Sequence, residues 1–167
     1  MIDVIQNSTQ YLDKDDLKAI AHYLKSLPAH GEKSSYIPET PAATLALSAM
    51  VTGELERPGA GLYQSFCAKC HQITGDGKPG KYPKLAGNSI VLSDNPTSLI
   101  RLLLEGSKTA QTSLGPEPQK MPNFAKTFSD REIAEVLSFI RHSWGNEASP
   151  VTTRQVSSLR SALQKKP

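Results

Sequence analysis

Both cysteines of the chain fall in one run of five residues, Cys67-Ala68-Lys69-Cys70-His71. With no third thiol, no disulfide framework can shape the fold. The spacing points instead to covalent attachment of a c-type haem, in which each thiol forms a thioether with one vinyl group and the adjacent histidine supplies the proximal iron ligand. On a helix, residues three apart share a face, so one turn grips two corners of a macrocycle while His71 addresses its centre. Two other chemistries use a C-x-x-C pair. A thiol–disulfide couple follows a buried strand, and residues 53–66 (GELERPGAGLYQSF) show none. A zinc site would have to recruit His22, His30 or His142, and none of these stands at ligand spacing from another.

The 167 residues suffice for one domain of ordinary size with flanking material. Gly59, Leu62, Tyr63, Phe66 and Cys70 share one helical face, which predicts a helix over 57–71 with Gly59 as a point of close helix approach. A second helix is expected from Asn95-Pro96 to Gly106, apolar through Leu99, Ile100, Leu103 and Leu104, and placed to wall the haem. A third starts at the capping box Ser129-Asp130-Arg131-Glu132 and carries Ile133, Val136, Leu137 and Ile140 on one stripe, ending near Trp144-Gly145. No stretch shows sustained period-two alternation, so the expected class is all-α: a helical domain around one covalently bound haem, with an extra N-terminal helix and a short C-terminal one. No run approaches 18 apolar residues, and the first thirty lack a secretory pattern, so the chain as it stands is expected neither to span a membrane nor to export itself. A net charge of +3 is too mild and dispersed for nucleic acid.

The sixth iron position needs a candidate. Met121 follows a polar loop over 106–120 and precedes Pro122, lies fifty residues after His71, and sits on no amphipathic stripe that would make it a core residue. Met50 belongs to an alanine-rich connector, and His142 falls on the polar face of its helix. Arg101 and the Trp144 indole are candidates for a haem propionate.

From Gly53 to Asn146 the chain resembles a class I cytochrome c. That resemblance implies that a proline carbonyl twelve residues after the ligating histidine accepts its ring N–H, a place taken here by Pro83, and that Val136 and Phe139 pack the last helix on the first. Pro83-Lys84-Leu85-Ala86-Gly87-Asn88, Met121-Pro122 and Ser143-Trp144-Gly145-Asn146 further resemble the cytochrome c subunits of membrane-bound bacterial alcohol and gluconate dehydrogenases. Those subunits carry three cytochrome domains, whereas one haem motif stands here. The resemblance implies electrons arriving from a dehydrogenase subunit and leaving to quinone or a terminal oxidase, with a periplasmic location on the outer face of the cytoplasmic membrane.

An internal repeat accounts for the N-terminal segment. Shifted by 116 residues, 12–25 overlays 128–141, with cap, apolar stripe, aromatic and terminal cation coinciding. Residues 1–28 therefore read as the closing segment of a preceding, incomplete cytochrome c domain, with Met1 near the place of Met121. The other reading is an amphipathic helix packed on the haem domain. Residues 29–52 read as a linker rich in Pro, Ala, Ser and Thr, 53–146 as the haem-binding domain, and 147–167 as a tail with a short amphipathic helix, frayed, packed on a partner, or lying on a membrane surface. The expected function is one-electron transfer through haem c held by Cys67, Cys70, His71 and Met121, with no catalytic residue. Between Lys69 and Lys126 the local charge is +4, which predicts a lysine-fringed haem edge steering toward an acidic partner. An open-site haem enzyme such as a peroxidase, and a thiol or zinc module, are the alternatives.

Overall fold

Ser129 starts the helix on which the other elements are assembled. Its Oγ accepts from Glu132 N at 3.2 Å while Glu132 Oε2 accepts from Ser129 N at 2.8 Å, closing the capping box. The helix that follows, Asp130–Arg141, buries Ile133, Val136 and Leu137 completely. This is a computed structural model, which describes residues 2–28, 35–36 and 57–165 of the chain. In chain order the helices are α1 (Ile2–Asn7), α2 (Lys14–Ser26), α3 (Ala60–Phe66), α4 (Ala68–His71), α5 (Ser89–Leu92), α6 (Thr97–Glu105), α7 (Asp130–Arg141) and α8 (Thr153–Gln164).

α3 crosses α7 at Gly59. A Cβ there would lie 2.3 Å from Glu135 O, and the residue has φ +86°, so glycine is required twice over. The same positive φ delays the helix to Ala60, and at Cys67 it breaks into α3 and α4, where a single helix over 57–71 is expected from sequence. α6 begins as Asn95 Oδ1 accepts from Thr97 N at 3.0 Å, and it buries Leu99, Ile100, Leu103 and Leu104 against α7 and α8.

α8 departs most from expectation. It is a twelve-residue helix started by the capping box at Thr152, and its apolar stripe packs on the core of this same chain. Val156 is fully buried, and Leu159 and Leu163 pack on the core. Arg160 fixes it by an ion pair to Asp130 (2.6 Å) and by donating to the carbonyls of Ala125 and Phe128. A second arginine, Arg141, is fully buried and donates to Ser149 O at 2.6 Å, Val91 O at 2.5 Å and Ser93 O at 2.8 Å, tying α5 to the end of α7. Burial lowers the pKa of Arg141, and Asp94 opposes that shift.

The class is mostly helical, as expected, with two-residue antiparallel pairs added. β1 (Ser35–Tyr36) pairs with β4 (Asn146–Glu147), and β2 (Ser107–Lys108) pairs with β3 (Lys120–Met121). Two residues are too few to display alternation in a sequence. Among the described residues no helix is long and apolar enough to cross a membrane.

At the N-terminus Asp13 caps α2, its side chain accepting from Asp15 N and Asp16 N. The apolar face of α2 is not covered by the haem domain: Leu17, Ile20 and Leu24 are 41%, 45% and 60% exposed. Gln10 Oε1 reaches the domain, accepting from Ser113 N at 3.0 Å. The linker expected over 29–52 lies outside the described residues apart from 35–36, as do Met1, His30 and Met50.

Candidate haem site

The turn that carries the motif is built on one carbonyl. Cys67 O accepts from Cys70 N at 3.1 Å and from His71 N at 2.9 Å, winding Cys67, Cys70 and His71 into the wall of a single cleft of about 600 Å³. Phe66, Tyr82 and Pro83 continue that wall. The facing wall is the β2–β3 hairpin and the segment after it, with Ser107, Met121, Pro122 and Phe124. Gly106 lets the hairpin close, since a Cβ on it would lie 2.7 Å from Met121 O. α6, expected to wall the haem, contributes no lining residue; it supports the wall from behind, Leu103 O accepting from Phe124 N at 2.8 Å.

Pro83 lies under the histidine, its carbonyl oxygen 3.0 Å from His71 Nδ1. The loop between them folds back on itself. Gly77 N donates to His71 O at 2.9 Å, and Leu85 N donates to Gly75 O at 2.7 Å. Asn146, 3% exposed, locks the far end: its Oδ1 accepts from Gly87 N at 2.7 Å, and its Nδ2 donates to Leu85 O and Ile140 O. Arg141 and Asn146 serve the site through this scaffold and were not anticipated from sequence, because a polar residue near a helix end carries no local sign that it will be buried.

Other expected residues lie elsewhere. His142 is exposed, with Nδ1 3.0 Å from Ser138 O. Arg101 pairs with Glu105 at 2.5 Å, and the Trp144 indole donates to Ile73 O at 2.8 Å, so neither candidate for a propionate lines the cleft. Of the lysines, Lys81 and Lys120 reach the cleft lining, while Lys84 pairs with Asp76 at 3.1 Å.

The donor set fits a c-type haem. With Nδ1 facing the Pro83 carbonyl, Nε2 is the ring nitrogen left for a metal. Phe66 is 48% exposed although it lines the cleft and packs edge-on against Phe124 and Phe128, so the cleft presents aromatic surface for a flat apolar group. The geometry disfavours the other thiol chemistries. Burial, and secondarily Cys70, push the Cys67 thiol up to about 11, the opposite of what a thiolate couple needs. Among the described residues no three His, Cys, Asp or Glu side chains are grouped to hold a metal ion.

Comparison with known proteins agrees with this reading. The family model for cytochrome c matches residues 57–144. The chain is 40% identical to the cytochrome c subunit of the quinone alcohol dehydrogenase of Gluconacetobacter polyoxogenes, over 96% of this chain and 34% of that one. It is 36% identical to the gluconate 2-dehydrogenase cytochrome c subunit of Pantoea cypripedii, over 96% and 36% of the two chains. It is 34% identical to cytochrome c-552 of Thermus thermophilus, over 61% of this chain and 83% of that one. It thus spans about a third of the length of the dehydrogenase subunits. Motif, cleft and family match lead to one conclusion: the chain belongs to the cytochrome c family and carries one covalently attached haem c.

Proposed function

We propose that the protein is a one-electron carrier whose haem iron is ligated by His71 and Met121, with Pro83 accepting the His71 ring N–H. The supporting observation is that Cys67, Cys70, His71 and Met121, from two segments fifty residues apart, line the same cleft. Bound haem c supplies the one-electron couple. The chain's own residues fix the position of that couple: Cys67 and Cys70 anchor it, Phe66, Pro122 and Phe124 exclude water from it, and the Pro83 carbonyl orients His71. Two protein ligands leave no open position for a substrate, and a thioether favours the reduced state.

Residues 1–28 are, in this reading, the closing segment of a further cytochrome c domain. α2 repeats α7 in sequence, yet the positions equivalent to fully buried Ile133 and Val136, Leu17 and Ile20, are more than two-fifths exposed. Such a stripe on α7 is covered by α3 and α8. The likeness to dehydrogenase cytochrome subunits supports a role passing electrons from a dehydrogenase subunit toward quinone or a terminal oxidase, in the periplasm at the membrane face.

Optical spectra of the matured protein test the ligation. A low-spin c-type spectrum with a sulfur-to-iron charge-transfer band in the far red, lost in Met121→Ala, is expected. A high-spin haem indifferent to the substitution would replace this reading with the open-site enzyme, and a colourless protein would return it to thiol or zinc chemistry.

A further inference from the structure

The residue after His71 has an unusual backbone. Gln72 has φ 64° and ψ 157°, a region essentially reserved for glycine. From this residue the chain turns so that Gly77 N donates to His71 O, and the loop continues round to Pro83. Two buried donors meet the carbonyls at the start of that turn. Tyr63 Oη donates to Gln72 O at 2.5 Å, and Trp144 Nε1 donates to Ile73 O at 2.8 Å. Tyr63 is fully buried and Trp144 is 5% exposed. Their rings lie 5.0 Å apart at 56°, and Phe139 packs on both, at 5.6 Å and 6.0 Å. One donor comes from α3 and the other from just beyond α7, so the crossing of these helices places both.

We infer that Tyr63 and Trp144 are positioning residues for His71: by clamping the carbonyls of Gln72 and Ile73 they hold Gln72 in its left-handed conformation, and through that turn they keep the Pro83 carbonyl on His71 Nδ1. The inference rests on His71 being an iron ligand. A purely packing role for Tyr63 needs a ring but no hydroxyl. A clamp needs the hydroxyl, because a buried hydrogen bond is of the size that offsets local backbone strain. Relaxed to negative φ, Gln72 would swing the 73–83 loop and loosen the carbonyl from the imidazole. The iron would then lose donor strength from His71 and become easier to reduce.

The test is a cycle of Tyr63→Phe, Gln72→Gly and the double variant in the haem-loaded protein, reading midpoint potential and hydrogen exchange of the His71 ring N–H in the reduced state. Tyr63→Phe should speed that exchange and shift the reduction equilibrium about two- to tenfold toward the reduced state, about 20–60 mV at 59 mV per decade. Glycine adopts the turn unaided, so the double variant should recover most of both losses. Unchanged potential and exchange in Tyr63→Phe, with only a lower melting temperature, would reduce Tyr63 to packing and overturn the clamp. So would a shift that Gln72→Gly leaves unrepaired. If the unsubstituted protein shows no histidine-ligated low-spin haem, it is the ligation that fails instead.

Discussion

A Cβ on Gly77 would stand 2.5 Å from the carbonyl oxygen of Pro83, the same oxygen that lies 3.0 Å from His71 Nδ1. Gly77 is therefore the floor on which that carbonyl rests, and its φ of +63° adds a second reason for glycine. Gly77→Ala must push the carbonyl off the imidazole or distort the turn. The expected result is a midpoint potential raised on the order of 20–60 mV, the equivalent of one net hydrogen bond. Potentiometric titration checks it; an unchanged potential with a stable fold would mean that Pro83 does not tune the iron.

Gly59→Ala probes the helix crossing. The new methyl would meet main-chain atoms of Glu135 and Val136, which cannot rotate away as a side chain can. Overpacking and positive φ together should cost about 2–4 kcal/mol. Denaturant titration of the matured protein should show a lower midpoint with little change in slope. A loss under about 0.5 kcal/mol would mean that the helices slide apart freely.

Arg141 illustrates what sequence alone did not disclose. The cysteine motif, the capping box at Ser129 and the stripe from Ile133 to Ile140 are legible because each is local: a spacing, a cap, a periodicity; Met121, singled out by its loop, lines the cleft with the motif. Pro83 became legible through resemblance. Arg141 and Asn146 were not, since their partners lie 48 to 61 residues away for Val91, Ser93, Gly87 and Leu85. Of the two propionate candidates, Trp144 is likewise committed to a distant partner, Ile73, whereas Arg101 pairs with Glu105 one turn on in its own helix. The narrow stripe of the tail helix reads as frayed, packed on a partner or lying on a membrane surface, but Arg160 supplies anchorage to this chain that a hydrophobic count omits.

Arg141→Met keeps much of the side-chain volume and removes the donors to three carbonyls. The loss should be about 3 kcal/mol, given about 1–3 kcal/mol for leaving a buried polar group unmet. The haem spectrum should stay low-spin while the melting temperature falls by more than about ten degrees, taking about 4–8 °C per kcal/mol for a domain of this size. Equal stability would mean that water satisfies those carbonyls.

Asp76 gives the pH dependence a sign. Its carboxyl is held below the usual aspartate range chiefly by a hydrogen bond from Thr74; burial opposes this, and Lys84 lowers it further by hydrogen bond and charge. A depressed folded-state pKa adds stability above the ordinary value, about 3.9, and that stability is lost as pH falls through the folded-state value. The group is half-exposed, so the contribution is small. The stability difference between the unsubstituted protein and Asp76→Asn should be flat at neutral pH and shrink under acid. A difference that grows as pH falls would reverse the assignment.

The cleft mouth fixes how a partner should approach. Lys81 and Lys120 are at the cleft lining, and Lys120 stands directly across the β2–β3 pair from Lys108. Opposed like charges weaken a strand pair, so the hairpin bearing Met121 concentrates positive charge at a cost to itself. Reversing charge with Lys81→Glu or Lys120→Glu should slow bimolecular reduction by an acidic redox partner roughly five- to tenfold at low ionic strength. The difference should vanish toward 1 M salt, where the screening length is about 3 Å. Stopped-flow reduction at several salt concentrations separates the cases. A deficit that persists at high salt points to lost contact or a disturbed Met121, and salt-independent rates throughout mean that the lysines only solvate the surface.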